Sequence, residues 1–229
     1  MALYAAGDLH LSLGVDKPMD YFGGGWDNYV EKISKGFSGL TEYDACVLCG
    51  DLSWGMNFDE ARKDFHFIAG LPGRKIILKG NHDYWWTTVS GINAFFEREG
   101  IKNIEILHNS CVLYGETAVC GTRGWFFEEE KGTEHDKKIM MREIGRLETS
   151  LKAAGERKKS VFLHYPPKYG DYECAGILEL LERFEVTVCC YGHLHGPGLR
   201  LAFRGKHRGT EHIPVSVDFL GFKPQIIQD

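Results

Sequence analysis

The sequence predicts a single α/β domain spanning residues 1–229, and three observations lead to this class. Short apolar runs alternate with segments of helical spacing along the chain. The composition, 43% hydrophobic and 26% charged, is ordinary for a globular protein, and 229 residues suffice for one well-formed core. The chain shows no internal repeat, low-complexity segment or Pro/Ser-rich linker that would divide it into separate units.

Five runs are predicted as strands because they are short, apolar and mostly rich in β-branched residues. They are LYAA (3–6), ACVLC (45–49), KIILK (75–79), SVFLH (160–164) and VTVCCY (186–191). Uninterrupted apolar runs are typical of strands buried on both faces, in sheets that helices cover. Residues 104–123 have apolar runs broken by Asn-Ser and Gly-Glu, which predicts adjacent antiparallel strands, and the tail from 197 to 227 is also strand-rich.

Segments of helical spacing lie between these runs. The predicted helices cover residues 26–39, 57–69, 87–99, 134–154 and 174–184. Asn57 precedes Asp59 and Glu60, so we expect its side chain to cap the second helix, whose first turn carries favourable acidic residues.

The charge balance and the N-terminal residues favour a cytoplasmic protein without a membrane or nucleic-acid partner. The formal net charge is −5, and no block of Lys and Arg approaches a nucleic-acid-binding tract. Asp8 and His10 interrupt the first apolar run, so no secretory signal is expected. No run reaches the roughly 18 apolar residues that a membrane span needs. The oligomeric state stays open.

Most of the seven cysteines are predicted to be small buried apolar side chains in a reducing compartment. Cys46-x-x-Cys49 has the spacing of a zinc or redox motif, but it lies in an apolar strand-like run. In a strand, an odd offset sends two side chains to opposite faces of the sheet, and no second C-x-x-C follows. A metal or redox role for the cysteines is therefore disfavoured.

Each of the five predicted strands ends in, or is followed by, Asp, Asn or His. These residues are Asp8 and His10 after the first strand, Asp51 after the second, Asn81 after the third, His164 at the end of the fourth, and His193 and His195 after the fifth. Open α/β sheets place their ligand sites at the carboxyl ends of the strands. In an extended backbone His193 and His195 project to the same side, while Leu194 packs into the protein.

The residue types predict a site for transition metals. Carboxylates mixed with imidazoles suit Mn²⁺, Fe²⁺/³⁺ or Zn²⁺, whereas Mg²⁺ and Ca²⁺ prefer oxygen ligands almost alone. Seven candidate ligands exceed the four or so of one tetrahedral site. The set therefore predicts two ions about 3.5–4 Å apart that share a carboxylate, with manganese expected first and iron or zinc as alternatives.

The ordered motifs D-x-H, GD, GNHD, H and GHxH, which span residues 8–195, resemble those of the calcineurin-like metallophosphoesterase superfamily, in its small bacterial-type branch. The resemblance implies a four-layer αββα sandwich of two mixed sheets flanked by helices. It also implies a ligand assignment for the two metals. Asp8, His10 and His195 would bind one ion, Asn81, His164 and His193 the other, and Asp51 would bridge both.

The same resemblance implies a phosphoesterase that hydrolyses a small phosphomonoester or phosphodiester. Two cations would make a bridging hydroxide available near neutral pH for direct attack on phosphorus, and would neutralise the phosphoryl oxygens. His82 is not a ligand in the family pattern, and it would protonate the leaving oxygen or stabilise the transition-state charge. Asp83 is expected either to orient the His82 imidazole or to serve as a turn residue.

Further stretches bear on the substrate. Arg123, in a Gly-rich loop, is a candidate phosphate contact, with a plain turn as the alternative. The Gly-rich segment 12–26 is long enough to form a loop beside the site, with its role open. DYWW (83–86) could supply a stacking wall, although core packing is favoured for large aromatic residues.

The sequence disfavours three other functional classes. Trp54 and Gly55 replace the Asp and Arg of the GDxxDRG motif, which argues against a serine/threonine protein phosphatase. A nuclease or nucleotide phosphodiesterase is disfavoured by the acidic charge. A protein-interaction scaffold on the same fold would be expected to have lost ligands, and this sequence retains all of them.

Overall fold

The computed structural model describes residues 1–23, 25–126 and 132–229, so Gly24 of the predicted loop 12–26 lies outside the described residues. The described strands form two mixed sheets and a small two-stranded ribbon. They are β1 (Leu3–Ala6), β2 (Ala45–Leu48), β3 (Arg74–Ile77), β4 (Ile104–Ile106), β5 (Cys111–Tyr114), β6 (Thr117–Thr122), β7 (Lys158–Leu163), β8 (Lys168–Tyr169), β9 (Tyr172–Glu173), β10 (Val188–Tyr191), β11 (Gly205–His207), β12 (Thr210–Pro214) and β13 (Gln225–Gln228).

The five predicted helices are confirmed. They are α1 (Tyr29–Phe37), α2 (Phe58–Gly70), α3 (Val89–Arg98), α4 (Glu134–Ala153) and α5 (Ala175–Arg183). The predicted cap is also confirmed, because the Asn57 side chain accepts hydrogen bonds from the backbone N–H groups of Asp59 and Glu60 at 3.0 and 3.1 Å. None of the helices in the described ranges is long and apolar enough to cross a bilayer.

Strand order brings the carboxyl ends of five strands to matching sheet edges. The first sheet has the order β13-β1-β2-β3-β4, in which β1 to β4 run parallel and β13 is antiparallel to β1. The second sheet has the order β11-β12-β10-β7-β6-β5 and is parallel from β12 to β6. The polar residues that follow β1, β2 and β3 therefore emerge at one edge, as do those that follow β7 and β10.

Three apolar clusters show four layers. Ile33, Phe65 and Phe95 belong to the cluster between the first sheet and α1, α2 and α3. Leu147 and Ile177 belong to the cluster between the second sheet and α4 and α5. The third cluster contains strand residues of both sheets, so the sheets pack directly against each other. The αββα sandwich is confirmed, and helices cover one face of each sheet rather than both.

The prediction for residues 104–123 is wrong in one respect. β5 and β6 are the expected antiparallel pair in the second sheet. β4, however, runs parallel to β3 in the first sheet, so the chain crosses from one sheet to the other between β4 and β5. The alternating pattern of residues 104–106 is compatible with an edge strand of either sheet. In both cases Ile104 and Ile106 would be buried and Glu105 exposed.

Cys46 and Cys49 lie on opposite faces of the first sheet, as strand periodicity predicts. Cys46 belongs to the cluster under the helices, whereas Cys49 belongs to the cluster between the sheets. The two sulfurs of the C-x-x-C spacing therefore point to opposite faces of the first sheet. All seven cysteines are unpaired, and burial raises the pKa of Cys46 and Cys49 above the ordinary thiol value.

Candidate metal centre

The seven predicted ligands come together where the two sheets meet. Backbone hydrogen bonds join the loops that carry them, because Asp8 N donates to Gly50 O and His10 N donates to Asp51 O, both at 2.9 Å. The loop after β10 is tied to the end of β7, since Gly192 N donates to His164 O at 3.1 Å. Five separate chain segments thus supply one cluster.

One group of ligand atoms forms around Asp8. The Nε2 atoms of His10 and His195 lie 3.1 Å apart, and His195 Nε2 lies 3.5 Å from Asp8 Oδ1. One ligand atom from each of these three residues lies within 4.8 Å of the other two. Two imidazole nitrogens that face each other beside a carboxylate form an arrangement that a shared cation satisfies.

A second group forms around Asn81. Its Oδ1 lies 2.6 Å from His164 Nε2 and 2.9 Å from His193 Nδ1, and these two nitrogens are 3.2 Å apart. His193 and His195 therefore face different groups, one through Nδ1 and the other through Nε2. Leu194 between them is buried in the cluster under α4 and α5 as predicted, but the backbone at His193, with a φ of 71°, is not extended.

Asp51 lies between the two groups. Its Oδ2 is 3.8 Å from His10 Nε2 in the first group and 3.6 Å from His164 Nε2 in the second. Its Oδ1 accepts a hydrogen bond from the backbone N–H of His82 at 2.7 Å. Ligand atoms of Asp8, Asp51 and His164 also lie within 4.8 Å of one another, so the two groups are contiguous.

A family comparison of the whole sequence agrees with this geometry. A family model described as calcineurin-like phosphoesterase matches residues 1–197, well over half of the 229 residues. The chain belongs to the calcineurin-like phosphoesterase family. It is accordingly a metal-dependent hydrolase of phosphoric esters.

Solved structures resemble this phosphoesterase over nearly its whole length. The phosphopantetheinyl hydrolase of Mycobacterium tuberculosis is 12% identical, with a TM-score of 0.64 over 99% of this chain and 95% of that chain. A protein of unknown function from Aquifex aeolicus is 15% identical, with a TM-score of 0.50 over 98% and 95%. At these identities the likeness shows the fold. No curated protein matches the chain.

The backbone of the phosphoesterase is unusual at four of the predicted ligands. The φ angles of Asp8, His10, Asp51 and His193 are 61°, 46°, 53° and 71°, in the left-handed region that L-residues seldom occupy. Such conformations cost free energy and persist where the surrounding structure fixes them, which happens most often at functional sites. The turns that place the ligands are therefore maintained at some expense of stability.

Glycines of the motifs allow the close approach of the loops. A Cβ atom on Gly80 would overlap the carboxylate and the backbone nitrogen of Asp51, and one on Gly192 would overlap the carboxylate of Asp8. Neither glycine has a positive φ, so the constraint here is space rather than backbone conformation. The glycines before Asn81 and His193 are thus explained by contacts with the predicted ligands.

The pKa values of the two carboxylates of the site shift in opposite directions. Burial, together with the neighbouring carboxylates of Asp83 and Asp8, raises the pKa of Asp51 to about 9. Burial acts on Asp8 in the same direction, but the imidazoles of His195, His164 and His10 outweigh it and hold its pKa well below the usual range. A bound cation would favour the ionised form of both groups, so this donor set fits a metal centre.

His82 lies beside the two groups of ligands and is half-buried. Its ring centroid is 5.8 Å from that of His10 and 4.6 Å from that of Trp54, and its Nδ1 lies 3.2 Å from Tyr84 Oη. Burial, with the imidazole of His164 and the ammonium group of Lys17, lowers its pKa. Its imidazole is therefore near the metal centre without being one of the clustered ligand groups.

Asp83 binds the backbone of the two loops that carry Asp51 and Asn81. Its carboxylate accepts hydrogen bonds from the backbone N–H groups of Gly80, Asp51 and Leu52 at 2.7 to 2.9 Å, and from the Trp85 indole at 3.0 Å. The His82 ring lies within hydrogen-bond distance of Tyr84 Oη. Asp83 thus fastens the GD and GNHD loops to each other, and an orienting role toward His82 stays a prediction.

The Arg123 side chain contacts Trp125 and Glu143. Its guanidinium lies 4.6 Å from the centre of the Trp125 ring and 3.8 Å from Glu143 Oε1. It lines a small cavity of about 80 Å³ together with Lys79, Arg146 and other residues. Its backbone oxygen accepts hydrogen bonds from His164 N and Tyr165 N. A phosphate contact for Arg123 stays a prediction.

Sequence reasoning missed several residues around the metal centre. Asp218 accepts a hydrogen bond from the His195 ring, and Trp54 stacks on His10 with centroids 4.9 Å apart. Trp26, from the segment 12–26, packs at 5.9 Å from the His195 ring. Trp54 follows Asp51 by three positions and Trp26 ends the segment 12–26 that is predicted to lie beside the site, whereas no sequence signal marks Asp218. Of the DYWW aromatics, Trp85 is buried in the core as expected.

Proposed function

We propose that this phosphoesterase uses two metal ions to hydrolyse a small phosphomonoester or phosphodiester. The observation that carries the proposal is the position of Asp51 Oδ2, within 3.8 Å of an imidazole nitrogen in each of the two ligand groups. A carboxylate oxygen in such a position can be shared by two ions, as in two-metal hydrolases. Asp8, His10 and His195 would hold one ion, Asn81, His164 and His193 the other, and Asp51 would contact both.

The donor set favours manganese, with iron or zinc as alternatives, because four imidazoles, two carboxylates and one amide oxygen are a mixed nitrogen and oxygen set. When bound, the two ions supply Lewis-acid activation of a water molecule and neutralise charge on the phosphoryl group. The chain itself supplies the ligand geometry and a closed, mostly buried environment in which electrostatic interactions are strong. The proposed setting is the cytoplasm, which the seven unpaired cysteines support.

His82 is proposed as the residue that acts on the phosphoryl group without holding metal. Its backbone N–H is bound to Asp51, which positions the ring beside the ligands, and Tyr84 contacts its Nδ1. The opposite nitrogen is then available to protonate the leaving oxygen or to stabilise developing charge. Arg123 remains a proposed contact for a phosphate group at the edge of the site.

Metal content and activity test the proposal together. Protein freed of metal by a chelator is reconstituted with Mn²⁺, and elemental analysis should give two ions per chain. The reconstituted protein is then screened against phosphomonoesters, phosphodiesters and single-stranded DNA. A single ion per chain at saturation would contradict the shared role of Asp51, and preferential cleavage of DNA would favour the nuclease alternative.

A further inference from the structure

A cavity of about 350 Å³ opens directly beside the metal centre. His10, His82 and His195 line one side of it, and Met19, Trp26 and Trp54 line another. Its volume is at the low end of the range of about 300–1,000 Å³ for small-molecule sites. The segment 12–26, whose role the sequence leaves open, contributes Met19 and Trp26 to this cavity, which shows what the segment builds.

The walls are apolar and held in place by contacts within the protein. Met19, Trp26 and Trp54 are 5%, 4% and 8% exposed. The indole N–H of Trp54 donates to the Met19 sulfur at 3.3 Å, and Trp26 packs edge-on against Tyr29 and Phe222. The largest side chains around the cavity are therefore preorganised, which lowers the entropic cost of binding.

Away from the histidines, the polar side-chain groups that line the cavity, those of Asp218 and Trp54, are engaged by the protein itself. The Asp218 carboxylate accepts hydrogen bonds from the His195 ring and from the backbone N–H groups of Gly196 and Phe219, at 3.0 to 3.1 Å. The Trp54 indole N–H is bound to Met19. A hydroxyl-rich or charged group placed against Asp218, Trp54 and the apolar walls would lose its hydration without gaining equivalent hydrogen bonds, which is unfavourable.

A positive charge lies against Trp54, one of the side chains that line the cavity. Lys17 Nζ lies 3.4 Å from the centre of the Trp54 ring, and Lys17 is also among the charges that lower the pKa of His82. A cation at this point complements a phosphoryl group at the metal centre, whereas the apolar walls beyond it do not. The two parts of a substrate would therefore meet two different environments.

Resting on the proposed function, we infer that this cavity receives the ester group of the substrate, and that this group is compact, apolar and uncharged. Hydrolysis of such an ester consumes one water molecule. The water oxygen bonds to phosphorus, the bond between phosphorus and the ester oxygen breaks, and the ester group leaves as an alcohol that has taken up a proton. His82 lines the cavity, so it lies on the side from which that alcohol departs.

The test compares two phosphomonoesters of primary alcohols, so that their leaving groups differ little. Benzyl phosphate carries an apolar group that the cavity can bury, and glycerol 1-phosphate carries a hydroxylated one. With manganese-loaded wild-type protein, we expect kcat/KM to be at least about tenfold higher for benzyl phosphate, the scale of one buried apolar group. Benzylphosphonate should likewise inhibit at least about tenfold more strongly than methylphosphonate.

Variants of Met19 assign the preference to the cavity. Met19→Gln makes the wall polar and should bring the ratio of the two kcat/KM values close to one, whereas Met19→Leu should retain the preference. Met56→Gln is the matched control, because Met56 is 59% exposed and lies outside the cavity. Phosphonate inhibition of the wild type decides the question even if Met19→Gln does not fold.

Two results would overturn the inference while the proposed function stands. One is a wild-type enzyme that hydrolyses both esters without preference, or prefers glycerol 1-phosphate. The other is a preference for benzyl phosphate that Met19→Gln leaves unchanged. If the manganese-loaded protein hydrolyses no phosphoester, the proposed function fails and the inference fails with it.

Discussion

The carboxylate of Asp218 holds the ring of His195 in place. Asp218 Oδ1 lies 3.1 Å from His195 Nδ1, and Asp218 Oδ2 accepts a hydrogen bond from the next backbone N–H, that of Gly196, at 3.0 Å. A proton on Nδ1 leaves the lone pair of His195 Nε2 directed at Asp8 and His10. Carboxylates that bind the second nitrogen of a metal-ligating histidine fix its tautomer and raise its basicity.

Removal of this carboxylate should weaken metal binding. Asp218→Ala leaves all seven predicted ligands in the chain but frees the His195 ring, and we expect metal affinity to fall about 10–100-fold. Titration of metal-free protein with Mn²⁺ measures the change. Asp171→Asn, at an exposed position of the β8–β9 ribbon, is the control and should bind normally. Unchanged affinity in Asp218→Ala would show that the hydrogen bond does not support a ligand.

Asp218 also shows where prediction from the sequence stops. The seven predicted ligands lie in short motifs at the ends of strands, and both signals can be read along the chain. Asp218 lies 23 residues after His195, past β11 and β12, and no spacing rule connects the two. Their contact depends on how the chain returns to the first sheet after β12, which only the tertiary structure defines.

The same limit applies to the sheets. Strands β1, β2, β3, β7 and β10 were predicted because each has an apolar run and a polar residue at its carboxyl end. The place of β4 was not predicted, because residues 104–106 alternate buried and exposed in a way that suits either sheet. Pairing of β4 with β3 is decided by tertiary packing, in which Ile104 and Ile106 join the cluster under the helices.

Gly80 offers a test of the packing between the ligand loops. A methyl group at this position would overlap Asp51, whose backbone is held by Asp83 and cannot easily move. Gly80→Ala should therefore destabilise the protein by about 1–3 kcal/mol, as overpacking does, and displace the shared carboxylate. Urea unfolding and titration with Mn²⁺ would measure the two effects.

The matched control for this substitution is Gly145→Ala. Gly145 lies within α4, and a Cβ atom added there would meet no atom within 4 Å. Alanine at this position should therefore stabilise the protein by about 0.5–1 kcal/mol through helix propensity. If Gly80→Ala binds Mn²⁺ as tightly as the wild type, then contact between the GD and GNHD loops does not position Asp51.

A buried histidine remote from the metal centre should make the protein sensitive to acid. His212, in β12, is fully buried and its two ring nitrogens have no hydrogen-bond partner among the described residues. Burial, with His207 and Lys168 nearby, lowers its pKa from 6.5 to about 4. Between these values the unfolded chain binds a proton that the folded protein does not, so the free energy of unfolding falls as the pH falls from 6.5 to 4.

The loss should reach about 3 kcal/mol at pH 4, from 1.36 kcal/mol for each unit of pKa difference. His212→Leu removes the group and should lose correspondingly less stability than the wild type over this window. Urea unfolding of metal-free protein at pH 7 and pH 4.5 provides the comparison, with exposed His135→Leu as the control. Equal acid sensitivity of His212→Leu and the wild type would mean that other groups dominate.

Asp51 and His82 separate assembly of the metal centre from its use. Asp51 is the proposed shared ligand, and Asp51→Asn removes an anion that contacts both ligand groups. Both metal affinity and activity should therefore fall. His82→Ala removes an imidazole that lies beside the ligands, so it should retain two ions per chain by elemental analysis. A metal ion lost from His82→Ala would show that the assignment of ligands around GNHD is wrong.

The activity of His82→Ala then distinguishes its two possible roles. If the imidazole protonates the leaving oxygen, kcat should fall by about 10²–10⁴-fold on alkyl phosphates, the usual scale for a general acid. The loss should be much smaller on p-nitrophenyl phosphate, because p-nitrophenolate leaves readily without a proton. Equal losses on both kinds of ester would exclude proton donation. The remaining role would be stabilisation of charge on the phosphoryl group, which the position of the ring beside both ligand groups allows.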